Sequence, residues 1–311
     1  MIASRDLLEI GDLSPAEISN ILDVARSFAD INERDIKKLP TLRGRTVINL
    51  FLEPSTRTRT SFEIAAKRLS ADAVNITGSA SATVKGESLL DTAETLSAMS
   101  CDLIVVRHRY SGAPRILADH MDAHVVNGGD GMHQHPTQTL LDLFTMREHF
   151  GDLAGKKVAI VGDILHSRVA GSLVPGLRAV GAEPILVAPP TLLPAAPEVL
   201  GAPVSYSLDE VLPEVDVAYM LRVQGERADA PGFPSVREYS RLFGMNAARL
   251  NVLKENAIIM HPGPMNRGVE VSADVASDPR ARVLNQVSAG VAVRMAVMFL
   301  MLGGESGAVS A

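Results

Sequence analysis

Short apolar runs recur along this 311-residue chain, and most are followed by a stretch in which apolar residues return at helical spacing. The runs fall at 47–52, 73–76, 103–106 and 124–127, then at 157–161, 184–187, 215–220 and 258–260. Each has the length of a buried strand. Between them, stripes such as Phe62, Ala65, Ala66 and Leu69, or Leu90, Ala93, Leu96 and Met99, read as helices. Strands alternating with helices in both halves predict α/β architecture with two doubly wound parallel-sheet domains.

The length is more than one ordinary core accommodates, which also argues for two domains. The turn-rich segment Gly151-Asp152-Leu153-Ala154-Gly155-Lys156 marks the break. The expected division is 1–150, 151–284, and 285–311 as a C-terminal helix returning to the first domain. A capping box with proline at N1, Ser14-Pro15-Ala16-Glu17, opens the first helix, striped by Ile18, Ile21, Leu22, Ala25 and Phe28. Residues 188–197 read as a proline-rich exposed connection, and a long Gly/Pro/charged loop is expected from Leu221 to about Ser240.

Net charge of −6 argues against a nucleic-acid binder, so basic clusters must be local. Cys101 alone cannot form an intramolecular disulfide, and it reads as a small buried residue before a strand. The N-terminus is acidic and mixed by Asp12, with no apolar core of signal-peptide type, and the apolar run at 291–302 carries Arg294 and is too short to span a bilayer. The expectation is a cytoplasmic enzyme with no membrane partner.

The chemistry concentrates in Phe51-Leu52-Glu53-Pro54-Ser55-Thr56-Arg57-Thr58-Arg59-Thr60-Ser61-Phe62-Glu63. Pro54 ends a strand, Ser55 is a good N-cap, and the following helix begins with arginines and threonines. Cations in a first turn oppose the helix dipole, so they need a reason to be there. Free backbone N–H groups, hydroxyls and guanidinium forks together suit a phosphate or similar oxyanion. Ligands of parallel sheets bind beyond the carboxyl ends of strands. Those positions hold Ser55, Thr56, Arg57, Thr58, Arg107, His135, Gln138, Arg168, Arg222, Gln224, Gly263 and Pro264, nearly all oxyanion or carbonyl ligands.

Individually several have plainer readings. Arg107 alone is a strand-end surface arginine, and Lys85 a solvated lysine in a loose loop. His133 and His135 form an H-x-H pair, but no third ligand at metal spacing accompanies them, so no metal is expected. Gly162-Asp163 follows a strand without the later glycines of a dinucleotide turn, so no cofactor is expected.

Taken together, Ser55-Thr56-Arg57-Thr58-Arg59, Ser81…Lys85, His135-Pro136-Thr137-Gln138, Arg168, Arg222-Val223-Gln224 and His261-Pro262-Gly263-Pro264 resemble the aspartate/ornithine transcarbamylase family. The similarity runs through nearly the whole chain, with the motifs in order. Thr137 and Pro262-Gly263-Pro264 stand where the ornithine branch carries cysteine-containing segments, so the resemblance points to the aspartate branch. It implies transfer of the carbamoyl group from carbamoyl phosphate to the α-amine of L-aspartate, giving N-carbamoyl-L-aspartate and phosphate in pyrimidine synthesis. The alternatives are another amino-acid acceptor, such as ornithine, or a catalytically silent assembly homologue.

The resemblance also implies roles. Ser55, Thr56, Arg57 and Thr58 hold phosphate, while Thr58, Arg107 and His135 face the carbonyl oxygen. Gln138 and the backbone carbonyls of Gly263 and Pro264 orient the carbamoyl NH2. Arg168, Arg222 and Gln224 grip aspartate, and the site closes between the domains. Ser81 and Lys85 reach into a neighbouring subunit's site, which makes the active unit a homotrimer. Arg59 and Glu63 are left as support for the turn. The His-Pro-Gly-Pro-Met-Asn-Arg-Gly version resembles forms that act as plain trimers or join a dihydroorotase-type chain, more than forms that bind a regulatory partner chain.

Overall fold

The computed structural model describes residues 2–78, 88–223 and 235–304. It divides into two compact units, Met1–Phe144 with Ser288–Ala311, and Thr145–Val287.

In chain order the first unit begins with α1 (Pro15–Asn32), β1 (Thr46–Phe51), α2 (Thr56–Arg68), β2 (Asp72–Thr77) and α3 (Leu89–Ala98). It continues through β3 (Leu103–His108), α4 (Ala113–His120) and β4 (His124–Asp130) into α5 (Pro136–Phe150). The capping box is formed as expected: Ser14 Oγ accepts from Glu17 N, and Glu17 Oε2 accepts from Ser14 N at 2.8 Å. The strands pair in the order β2-β1-β3-β4, all parallel. On one face Ile48 and Leu50 of β1, Ile104 and Val106 of β3 and Val125 of β4 pack with Ala93, Leu96, Leu117 and Ala118 from α3 and α4. Burying each large aliphatic side chain here contributes about 1.5–3 kcal/mol. Cys101 packs partly buried against this cluster, and burial pushes its thiol up, which makes it a poor nucleophile.

Helix α4 lies in a segment for which no element was expected. Its signals are Gly112 before the first turn, Pro114 within it, and buried Ala113, Pro114, Leu117 and Ala118, a stripe only two turns long.

The second unit begins with β5 (Lys157–Val161), α6 (Arg168–Ala179), β6 (Glu183–Val187), β7 (Val204–Ser205) and the single turn α7 (Leu208–Val211). It continues with β8 (Val217–Met220), α8 (Val236–Phe243), the single turn α9 (Ala247–Leu250) and β9 (Ile258–Met260). The order is β7-β6-β5-β8-β9, again all parallel. Two expectations are corrected. Ala188, Leu192 and Leu193 are buried, so the proline-rich connection is anchored rather than exposed throughout. The loop after β8 stops before Ser240, because Ser235 Oγ accepts from Glu238 N at 3.1 Å and starts α8, with Tyr239 and Phe243 buried one turn apart. A last helix, α10 (Val283–Met301), belongs to the first unit from Ser288 onward. Its length and composition would suit a bilayer, yet most of it is buried inside the protein, Arg294 included.

Both strand orders reverse direction once. In the first unit the chain steps from β1 out to β2 and then to the other side at β3; in the second it runs β5, β6, β7 before returning to β8. The gaps β1/β3 and β5/β8 are therefore topological switch points, where the loops leaving adjacent strands diverge and open a crevice.

Candidate active site

At the switch point of the first unit, β1 hands over to α2 through Leu52-Glu53-Pro54-Ser55. Leu52 N donates to Arg107 O at 2.9 Å, so the end of β1 stays tied to β3 up to the turn. Ser55 is the N-cap residue with extended backbone (φ −160°, ψ 99°), but its hydroxyl makes no capping bond. The first-turn amides of a helix have no intrahelical acceptor. No acidic side chain lies in this first turn either, and Thr56 and Arg57 are exposed, while Thr58 is buried. The result is a helix N-terminus whose donors, hydroxyls and one guanidinium are arranged for an anion. Farther along α2, Glu63 pairs with Lys67 at 2.6 Å, one turn on.

Arg107 stands near the end of β3 and is mostly buried. Its Nη1 donates to Gly128 O at 3.2 Å, and its Nη2 lies 3.4 Å from Glu53 Oε1. These contacts join the carboxyl ends of β1, β3 and β4. Glu53 was assigned no role from sequence; only its position opposite Arg107 reveals one.

The loop after β4 is built around Asp130. This buried carboxylate accepts from Asn127 Nδ2 at 2.8 Å and Gln134 N at 3.1 Å on Oδ1; on Oδ2 it accepts from Gly112 N at 2.8 Å and faces His133 Nδ1 at 3.2 Å. His133 thus belongs to the loop's scaffold. Among the described residues no three His, Cys, Asp or Glu side chains gather as a metal site. His135, buried, precedes Pro136 at the start of α5, and its carbonyl accepts from Gln138 N at 2.9 Å. Gln138, also buried, donates through Nε2 to Asp142 Oδ1 at 3.1 Å.

The switch point of the second unit carries Arg168 and Arg222. Beyond β5, Asp163 is buried and accepts from His166 N at 3.2 Å, with His166 Nδ1 at 2.8 Å. Ser167 then caps α6 by accepting from Ala170 N at 3.3 Å, and Arg168 is the first helical residue, only 4% exposed. Arg222 follows β8, and the next residue is pinned by Val223 N donating to Glu270 Oε1 at 2.8 Å.

Glu270 is fully buried and also accepts from Asn266 N and Asn266 Nδ2, each at 2.8 Å, with His261 Nε2 at 3.8 Å. Burial alone would push its carboxyl up; the facing His261 and the donors Val223 and Asn266 outweigh this and hold it below the usual carboxylate range. His261 Nδ1 accepts from Gly263 N at 2.8 Å, and His261 N donates to Gln286 Oε1 at 3.0 Å. Gly263 sits at φ +64°, a left-handed conformation suited to glycine, and its bond to Pro264 is cis. The turn that carries the Gly263 and Pro264 carbonyls and the strand end that carries Arg222 thus share one buried carboxylate. No sequence motif had singled out Glu270.

Ser81, Lys85 and Gln224 lie outside the described residues. The other expected site residues fall into two sets, one in each unit. Ser55, Thr56, Arg57, Thr58, Arg107, His135 and Gln138 are in the first unit, and Arg168, Arg222, Gly263 and Pro264 in the second.

Comparison with known proteins divides the chain similarly. Residues 5–148 match the family described as aspartate/ornithine carbamoyltransferase, carbamoyl-P binding domain, and residues 154–301 its Asp/Orn binding domain. The aspartate carbamoyltransferase catalytic subunit of Acidothermus cellulolyticus is 59% identical over 300 residues, covering 96% of this chain and 93% of that one. The same subunit of Thermobifida fusca is 58% identical, covering 96% of each. Among solved structures, aspartate transcarbamoylase from Trypanosoma cruzi in complex with carbamoyl phosphate and aspartate superposes with a TM-score of 0.86. It is 32% identical and covers 96% of this chain and 97% of that one.

Proposed function

The chain belongs to the aspartate/ornithine carbamoyltransferase family, and from that premise we propose that it transfers the carbamoyl group of carbamoyl phosphate to the α-amine of L-aspartate. The observation that carries this reading is the pairing of two different anion sites with two switch points. A helix N-terminus with Ser55, Thr56, Arg57 and Thr58 suits a phosphate, and a pair of arginines, Arg168 and Arg222, suits a dicarboxylate.

In this reading the α2 amides with Ser55, Thr56, Arg57 and Thr58 hold the phosphoryl end of carbamoyl phosphate. Thr58, Arg107 and His135 polarise the carbonyl oxygen, where negative charge grows as the amine attacks. Gln138 and the carbonyls of Gly263 and Pro264 accept from the carbamoyl NH2. Arg168, Arg222 and Gln224 hold the carboxylates of aspartate. The amine lone pair forms the new C–N bond, and the C–O bond to phosphate breaks. The phosphate leaves with that electron pair and takes a proton from the amine. The surrounding cations favour the neutral amine needed for attack.

An assay with aspartate and ornithine side by side tests the assignment: phosphate release with aspartate supports it, and turnover with ornithine alone overturns it. The same proposal has a homotrimer in which Ser81 and Lys85 serve a neighbour's site, acting in the cytoplasm. Mixing Lys85→Ala with Arg57→Ala subunits then restores part of the activity; no recovery in mixed trimers counts against shared sites. A dihydroorotase-type or regulatory chain would appear as added mass in native mass measurements of co-purified protein.

A further inference from the structure

The turn His261-Pro262-Gly263-Pro264 is short of backbone donors. Proline has no N–H, so Gly263 supplies the only amide hydrogen among residues 262–264. Glycine also lacks the side chain that would narrow its backbone angles, and Gly263 stands at φ +64°. The peptide needs another restraint, and His261 provides it: Nδ1 accepts from Gly263 N at 2.8 Å. This joins a side chain to the N–H two residues on, the connection that asparagine or aspartate makes in an Asx-turn. It fixes an atom two bonds from the Gly263 carbonyl carbon.

Accepting at Nδ1 decides where the ring carries its proton. A nitrogen that takes an N–H must offer its lone pair, so the proton sits on Nε2. A proton on Nδ1 would set two N–H groups against each other. Nε2 lies 3.8 Å from Glu270 Oε2, and both side chains are fully buried. The carboxylate therefore stands on the side of the ring where the proton is needed. The backbone of His261 is pinned as well, its N donating at 3.0 Å to Oε1 of the buried Gln286.

We propose that His261 is a positioning residue whose Nδ1 holds the Gly263 amide, keeps the Gly263 carbonyl aimed at the carbamoyl NH2, and thereby favours a carbamoyl over an acetyl group. It rests on the reading above, in which that carbonyl accepts from the NH2 of carbamoyl phosphate. In this role His261 touches no substrate. Glu270 keeps the ring proton on Nε2, Nδ1 keeps the turn, and Gly263 makes the contact.

Two substitutions separate the two ring nitrogens. Asparagine carries an amide oxygen on Cγ, where histidine carries Nδ1, so His261→Asn keeps the acceptor for Gly263 N and drops the N–H toward Glu270. His261→Gln, one carbon longer, reaches toward Glu270 and drops that acceptor. The KM values for carbamoyl phosphate and aspartate are measured on the intact enzyme, wild type first. The inhibition constant of acetyl phosphate, which has a methyl group in place of the amine, is measured beside them. If the wild type does not carbamoylate aspartate, the proposed function fails before His261 is examined. With His261→Gln the carbamoyl phosphate KM rises roughly tenfold, the worth of one hydrogen bond, while acetyl phosphate and aspartate change by less than about twofold. With His261→Asn all three stay within about threefold of wild type, because the acceptor is retained. A glutamine variant that matches wild type, or one that weakens carbamoyl phosphate and acetyl phosphate equally, overturns the proposal. An asparagine variant that is unfolded, or that shares the glutamine variant's loss, overturns it too. If His261→Gln does not fold, His261→Ala is read in its place; if neither folds, the ring serves the fold alone and the proposal is also overturned.

Discussion

Helices α2 and α6 begin alike: a parallel strand ends, a turn follows, a serine takes the N-cap position and an arginine stands in the first turn. They then part ways. Ser167 spends its hydroxyl on Ala170 N, and Arg168 is buried. Ser55 makes no such bond, and Arg57 is exposed. In the first case the helix end is closed and, on the proposed function, the guanidinium is the ligand-binding group; in the second the helix end itself would take part. An N-terminus with open amides matches the tetrahedral oxygens of a phosphate, whereas a planar fork matches a carboxylate. On the proposed function, one construction would thus yield two specificities, according to whether the cap is spent internally or left for the ligand.

The comparison breaks most sharply at Arg57. Arg57→Ala should weaken carbamoyl phosphate binding and cut kcat by about a thousandfold, since the lost cation faces charge that grows on the leaving group. Its aspartate KM should change little. Next, Arg222→Ala should raise the aspartate KM by roughly a hundredfold, the scale of a lost charge-assisted pair, and leave carbamoyl phosphate affinity intact. Equal effects of both on phosphate affinity would erase the distinction between the two anion sites.

Glu270→Gln examines the scaffold of the second unit and should lower stability by about 3 kcal/mol in denaturant titrations, because a buried charge network loses its acceptor. The folded carboxyl of Glu270 lies below its unfolded value. Its stabilisation is therefore complete above the usual carboxylate pKa and is lost as pH falls through the folded value. Wild type should lose stability on acidification more steeply than the variant, and parallel curves would remove Glu270 from this role. Smallest is the effect at Glu53, which holds Arg107 from the first unit. Glu53→Gln should lower kcat about tenfold through looser placement of the arginine, with substrate affinities within twofold. A change confined to KM would assign Glu53 to binding instead.

Local pattern carried far here because strand and helix periods are short-range properties. The apolar run at 47–52 and the stripe from Phe62 to Leu69 were enough to place β1 and α2, and the rule that ligands gather at strand ends picked out Arg107 and Arg222. Weak local signals failed in the same terms. Helix α4 has only a two-turn stripe, and α8 begins inside what composition marks as loop. Motif reading named the groups that would meet ligand and missed those that hold them. Glu53 and Glu270 sit in no recognisable spacing, since the partners they serve are mostly brought to them by the fold from distant parts of the chain.

The sequence by itself therefore determined the alternation of strands and helices and the gathering of candidate oxyanion-binding side chains beyond the strands. Strand order was decided only in the tertiary structure: β3 lies beside β1 and β8 beside β5, so each sheet reverses once and opens one crevice. Which serine caps its helix, and which carboxylate faces an arginine at the strand ends, depend on the same assembly. The physical reason is one of range. Backbone preference and apolar periodicity act over a few residues, whereas the pairing of charged side chains is set by which elements each open sheet brings side by side.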